Sequence, residues 1–379
     1  MKFFTPNIQE ALACEEQERN AIIERADAFL NMEPTHITDS SSPHSAGGPH
    51  DYFSQADYSW PNPDTPDGLP YVNRDGESFP GAFFDHRIAL RTMRSSVANL
   101  TAAYFLTKEE AYAKAAVRWL REFFLDDATK MNPSLLYGQA ILGECTGRGI
   151  GIIDTLHLID VPVAADLLFE HGQMDAVTHK GLRDWFSDYL EWISTHQYGI
   201  NEMNVPNNHS VCWAVQAGVY ARFTGNEAIR SLCVKRFKEI MLPNQMAVDG
   251  SFPLEIARTK PYGYSIFVLD NFATLAFLLS TPQDNLWEFI LDDGRSLKKG
   301  FDYLYPFLED PSSWPHKTDI AYHHDWPMGM SFMLFAYIAY GDKKWLELYS
   351  RLEKYSPIDE VRRNTAIRVP YLWLRSAKG

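Results

Sequence analysis

The sequence predicts an all-α protein, an α/α toroid (incomplete α/α barrel) of helix hairpins with one long ordered loop near its start. Three observations point there. Apolar residues recur at steps of three and four through most of the chain, strand-like alternation is scarce, and a helix–break–helix pattern occurs three times. Repeated antiparallel hairpins must bury their apolar faces on one another, which an open solenoid or a closed toroid can do; the many aromatic residues in the loops favour closure around a cleft.

Gln9 to Leu30 reads as a helix. From Pro34 to about Pro80 the chain is rich in Pro, Gly, Ser, Asp and Asn, an unusual length for a loop in a compact protein. It carries Tyr52, Phe53, Tyr58, Trp60 and Tyr71, which disorder disfavours, so residues 34–80 are expected to form an ordered wall or lid over the cleft. The first hairpin passes Ala103-Tyr104-Phe105-Leu106, breaks at Thr107 and resumes through Ala116-Val117-Arg118-Trp119-Leu120, with Thr107 and Glu110 spaced as a capping box. Tyr137 to Glu144 is read as helical. Leu182, Trp185, Phe186, Tyr189, Leu190 and Ile193 share one helix face. The second hairpin breaks at Thr224-Gly225 and the third at Gly341. No linker or shift of composition interrupts residues 84–356, so the 379 residues are expected to form a single domain.

A net charge of -14 and a pI near 5.3 provide no broad basic field, which argues against nucleic acid and anionic membranes as partners. No segment reads as long enough to span a bilayer. Cys14, Cys145, Cys212 and Cys233 lie far apart without CxxC spacing, the pattern of reduced thiols rather than a disulfide framework or zinc site. The start, Met1 to Asn7, faintly resembles a leader, but Pro6, Glu10, Glu15 and Glu16 interrupt any apolar core. The expectation is a cytoplasmic protein, or a mature periplasmic or secreted form whose leader was removed. Subunit number is not legible.

The chemistry concentrates in two segments. Asn207-Asn208-His209 precedes the apolar run Val211-Cys212-Trp213-Ala214-Val215, where an N-cap belongs and where free amide hydrogens favour an anion. Arg258-Thr259-Lys260-Pro261-Tyr262-Gly263-Tyr264 adds a permanent cation and a phenol six positions later. The C5 hydrogen of a uronic acid sits beside a carboxylate, and removing it requires that charge to be neutralised by placed donors. Asn208, His209 and Arg258 could neutralise it and Tyr264 could accept the proton. A phenol titrates near 10 and needs nearby cations to act at neutral pH; Arg258, His209 and Lys260 are candidates. In β-1,4-linked glucuronate and mannuronate the C5 hydrogen and the C4 oxygen lie on the same side, so Tyr264 could serve as base and then acid. Guluronate would need a second residue such as His209. The plainer readings are an Asn cap with an incidental histidine, and a loop in which Tyr264 only packs.

These residues, with Pro49-His50-Asp51-Tyr52, Trp60-Pro61-Asn62-Pro63-Asp64-Thr65-Pro66-Asp67-Gly68-Leu69-Pro70-Tyr71 and Asn132-Pro133-Ser134-Leu135-Leu136-Tyr137-Gly138-Gln139, resemble the alginate lyase superfamily of α/α-toroid polysaccharide lyases, most nearly polysaccharide lyase family 38 and more distantly family 5. The resemblance implies β-elimination of uronate polymers without a cofactor, with Asn208, His209 and Arg258 on the carboxylate and Tyr264 as base and acid. The basic residue that family 5 places early has no match here, so the reaction carries over further than the substrate.

Tyr137, Gln139 and Arg148 are candidates for bonding sugar hydroxyls, or for polar packing between helices. Asn207 and Lys260 join them beside the catalytic set. Trp60 could stack on a pyranose or anchor its own loop. His323-His324-Asp325 resembles a metal cluster, but adjacent loop histidines diverge, and no metal is expected. Glu255 and Asp270 could suggest the paired carboxylates of a glycoside hydrolase acting on uronic oligosaccharides, or acidic residues on solvated faces near helix ends. A non-catalytic sugar-binding toroid is the other rival.

Overall fold

The computed structural model describes residues 5–378, so Met1 to Phe4 of the leader-like start lie outside the described residues. Helices α1 (Thr5–Glu15) and α2 (Arg19–Leu30) replace the single expected helix, with one 3-10 turn at Glu16–Glu18 between them. The break follows from Glu15 turning inward: its buried carboxylate accepts from the Tyr349 hydroxyl and, at 3.2 Å, from the N–H of Tyr371.

The long early loop is ordered and carries three short strands, β1 (Phe53–Gln55), β2 (Ser59–Trp60) and β3 (Val72–Asn73). β2 and β3 pair antiparallel, Ser59 opposite Asn73. Phe79 lies against both Trp60 and Tyr71, with ring centroids 5.1 and 6.0 Å away. The aromatic content that argued for order is thus used within the loop itself.

Next comes the hairpin of α3 (Asp85–Thr107) and α4 (Glu110–Phe124), turning at Lys108 with φ 69°. The capping box is not formed. Glu110 is the first residue of α4 rather than its third, and the Thr107 hydroxyl donates back to the Ala103 carbonyl at 2.8 Å while accepting from the N–H of Glu109 at 3.1 Å, so it ends α3 instead of starting α4.

The helix read at Tyr137–Glu144 is instead β4 (Tyr137–Ala140), which pairs parallel with β1 and runs into a tight turn. Glycines explain the difference. A Cβ at Gly147 would sit 2.0 Å from the Leu136 carbonyl oxygen and one at Gly151 2.5 Å from that of Gly138, so the backbones approach at distances only glycine allows. A 3-10 stretch at Gly149–Ile159 leads into α5 (Asp160–Glu170), α6 (Ala176–Thr195) and α7 (Gln197–Met203). All six apolar residues assigned to one face of α6 are buried, and Asp175 caps it through the N–H of Thr178 at 2.8 Å.

The second hairpin is α8 (Asn208–Thr224) and α9 (Glu227–Arg236), with Gly225 at φ 79°. Short α10 (Leu242–Gln245) and α11 (Pro253–Ile256) precede α12 (Pro261–Leu279) and α13 (Leu297–Glu309). The third hairpin, α14 (Ser331–Tyr340) and α15 (Lys344–Arg351), turns at Gly341 with φ 69°, and α16 (Asp359–Arg363) and α17 (Pro370–Lys378) close the chain.

These elements form two compact units, one of residues 18–204 with 223–225, the other of the remainder. In the first, the rings of Phe124 and Trp185 meet at 4.7 Å between α4 and α6. In the second, Phe277 of α12 stacks on Phe335 of α14 at 3.9 Å, and the absent side chain of Gly218 in α8 makes room for Leu275 and Leu278 of α12. Contrary to the sequence reading, α12 is by length and composition able to span a bilayer, but every one of its 19 residues is buried in the fold. None of the four cysteines is joined in a disulfide.

Candidate active site

The start of α8 is set by Asn207, whose side-chain oxygen accepts from the N–H of His209 at 3.2 Å in an N-cap arrangement. Asn208, the first helical residue, is buried, and His209 is partly exposed beside it. Asn208 is gripped by α11: its main-chain N–H donates to Oε1 of Glu255 at 2.8 Å and its Nδ2 to Oε2 at 2.7 Å. Burial pushes the Glu255 carboxyl up, and the two Asn208 donors, then the charges of Arg258 and His209, pull it back down. Arg258 and His209 are therefore both electrostatic neighbours of one buried carboxylate.

Three residues on, the N–H of Arg258 donates to the Glu255 carbonyl at 3.1 Å, and the chain then enters α12 at Pro261. The first turn of α12 is capped from a distance by Asp319, which accepts from the N–H groups of Tyr262 at 2.8 Å and Gly263 at 2.9 Å. Tyr264 follows on this turn, 8% exposed. The Arg258 guanidinium carbon lies 4.4 Å from the Tyr264 ring centroid, and Nη2 donates to the phenol oxygen at 3.4 Å. Gly263 is required here, because a Cβ would come within 2.9 Å of Nε1 of Trp326.

Lys260 is buried and ion-paired with Glu360, so its charge is matched inside the protein. It lines a small pocket with Tyr264, Asp319, Tyr322, Trp326 and Asn364.

The remaining candidates belong to the other unit. The Trp60 indole donates to the Glu77 carbonyl at 2.8 Å and Arg74 lies over its ring at 4.7 Å, so it anchors its loop. Gln139 adopts a left-handed backbone, φ 51°, held by the Ser54 hydroxyl at its N–H (2.8 Å) and by Asp154 at its Nε2 (3.1 Å). Asp154 is the hub of this cluster and also accepts from Tyr52, Ser54 and Arg87. Arg148 donates through Nε to the Gln139 carbonyl and through Nη2 to its Oε1, both at 3.1 Å, and burial pulls its pKa down. Tyr137 is half-buried, its ring pressed against Gly47 where a Cβ would fall 2.5 Å from Cε2.

Sequence reasoning missed Asp319, Asp154 and Arg87, and gave Glu255 to hydrolysis. The hydrolytic pair is not available: both oxygens of Glu255 are taken by Asn208, and Asp270 is wholly buried in α12, accepting from the Ser331 hydroxyl and the N–H of Phe332. His323 and His324 stand nearly perpendicular, 5.4 Å between centroids, and no group of three or more His, Cys, Asp or Glu residues converges on a metal position among the described residues.

The family model described as alginate lyase matches residues 36–314. An alginate lyase from Bacteroides ovatus is similar to this chain with 30% identity and a TM-score of 0.82, over 96% of this chain and 97% of that one. Alginate lyase A1-III from Sphingomonas species A1 shares 14% identity at a TM-score of 0.51, over 94% and 93%. A variant of A1-III complexed with a tetrasaccharide shares 12% identity at 0.54, over 94% and 93%. No curated protein matches the chain. The fold class is the α/α toroid expected from the sequence.

Proposed function

The chain belongs to the alginate lyase family and is a polysaccharide lyase, and we propose that it cleaves 1,4-linked uronate chains, glucuronan or mannuronate-rich alginate, by β-elimination. The observation that carries this reading is the Arg258 guanidinium lying on the Tyr264 ring and bonded to its hydroxyl, on the same turn-and-helix segment whose Glu255 holds Asn208.

Asn208, His209 and Arg258 bind the uronate carboxylate and offset the charge that grows on it as C5 loses its proton. The Tyr264 phenolate takes that proton, with Arg258 stabilising negative charge on the oxygen beforehand. The C5–H electron pair becomes the C4=C5 double bond, the C4–O bond breaks, and the departing oxygen receives the proton back from Tyr264. Tyr264 handles both transfers in sugars whose C5 hydrogen and C4 oxygen share a side, which is why glucuronan and mannuronate-rich chains lead. Within its own unit Arg148, held by Gln139, is the candidate for bonding sugar hydroxyls through its guanidinium. Tyr137 is the second candidate for bonding sugar hydroxyls in that unit. Asn207 and Lys260 support the site by holding the α8 start and the Glu360 pair, while Trp60 holds its own loop.

Purified protein incubated with glucuronan, polymannuronate, polyguluronate and hyaluronan tests the reading. Elimination produces an ultraviolet-absorbing unsaturated uronate, hydrolysis produces only reducing ends, and a binding protein produces neither. No absorbance rise on any of the four would sink it.

A further inference from the structure

We propose that Glu255 is a positioning residue for the elimination, fixing the Asn208 carboxamide and tying it to the segment that presents Arg258. The proposal rests on the lyase reading above. Both oxygens of Glu255 accept from one residue, the main-chain N–H and Nδ2 of Asn208, at 2.8 and 2.7 Å. This closed pair determines which way the amide faces, since a flipped Asn208 would turn Oδ1 onto a carboxylate oxygen. The second Nδ2 hydrogen is then directed away from Glu255. Through its main-chain carbonyl, the same residue accepts from the N–H of Arg258 at 3.1 Å, so one buried residue, by its side chain and its backbone, joins two donors that are 50 positions apart in sequence (258 minus 208).

A purely structural contact could be met by a neutral group. Glutamine would accept one of the Asn208 hydrogens but point its own NH2 at the other, whereas an ionised carboxylate accepts both. Burying that charge is unfavourable, and the site offsets it with two short donors and with the neighbouring Arg258 and His209. The arrangement makes sense where the direction of an amide matters to within a few tenths of an ångström, as it does for groups that stabilise developing charge.

The test is Glu255→Gln in the full chain, assayed by ultraviolet absorbance on whichever uronate polymer the wild type cleaves fastest. The expected result is a fall in kcat of about tenfold or more with KM within about threefold, and little further effect of the substitution in an Asn208→Ala background. Unchanged kcat, or an undiminished loss in the Asn208→Ala background, overturns the proposal. A crystal structure of Glu255→Gln decides the matter without kinetics: a turned Asn208 carboxamide supports the proposal and an unmoved one overturns it. Should Glu255→Gln fail to fold, Glu255→Asp keeps the charge while withdrawing it by one methylene. Lowered kcat at held KM then supports the proposal, and wild-type kcat overturns it. A wild type inactive on all four polymers would instead remove the lyase reading, which separates the two failures.

Discussion

The guanidinium of Arg258 covers the ring of Tyr264 at 4.4 Å and reaches its hydroxyl at 3.4 Å, so one cation touches both the face and the oxygen of the same phenol. Stacking fixes where the charge sits, and the bond aims it at the phenol oxygen, the atom proposed to take the proton.

Tyr264→Phe keeps the ring under Arg258 and deletes only the oxygen. Turnover should fall by roughly 10²- to 10⁴-fold while affinity for polymer, measured by calorimetry, stays near the wild-type value. An active variant would show that another group takes the proton.

Arg258→Ala removes the charge from the hydroxyl and from the neighbourhood of Asn208 and His209. Both KM and kcat should suffer, kcat by roughly 10²- to 10³-fold. Lysine should not rescue it, because a point charge cannot stack and bond in the same geometry. Kinetics indistinguishable from wild type would remove Arg258 from the site.

Arg148→Ala should act on binding alone. If Arg148 bonds sugar as proposed, losing that charge-assisted contact is worth roughly 1.5–3 kcal/mol, or about ten- to a hundredfold in KM with kcat retained. A variant with unaltered KM would leave Arg148 only its bonds to Gln139.

Asp319→Ala uncovers the two N–H groups at the start of α12 and should lower stability by about 2 kcal/mol, seen as a reduced Tm. Because Tyr264 sits on that turn, kcat should fall with it. A Tm equal to wild type would mean the cap is dispensable.

Burial raises the Asp270 carboxyl from 3.8 to about 7, its bonds from Ser331 and Phe332 only partly opposing this. A folded-state value above the unfolded one contributes stability that is complete below about pH 4 and is lost as pH climbs through about 7. The difference of about three pH units corresponds to about 4 kcal/mol at most. In Asp270→Asn, denaturant melts between pH 4 and 7 should therefore decline less steeply than in wild type. Parallel slopes would contradict the assignment.

Local signals in the sequence found much of this. The hairpin breaks at Thr107, Gly225 and Gly341 were visible because a helix ends where the backbone turns left-handed, and glycine marks two of the three. Asn207-Asn208-His209 stood out because a capping residue before an apolar run is a property of neighbours in sequence. What escaped depends on distant partners. Glu255 reaches Asn208 across 47 positions and Asp319 reaches Tyr262 across 57. β4 exists because β1, some 80 residues earlier, lies beside it, while its own composition read as helix. The capping box failed for a related reason: the spacing of Thr107 and Glu110 was correct, but the helix began two residues later than the box requires.

Helix α12 has no solvent-facing side along its 19 residues, and the Tyr264 hydroxyl, the proposed base, stands on its opening turn. A group mounted on so stiff a post cannot swing to follow a hydrogen offered from elsewhere. On the proposed mechanism, choice among epimers would work by refusal rather than accommodation: a sugar that misplaces its hydrogen would bind without reacting, and broadening the range would mean resculpting the post, not loosening the ring.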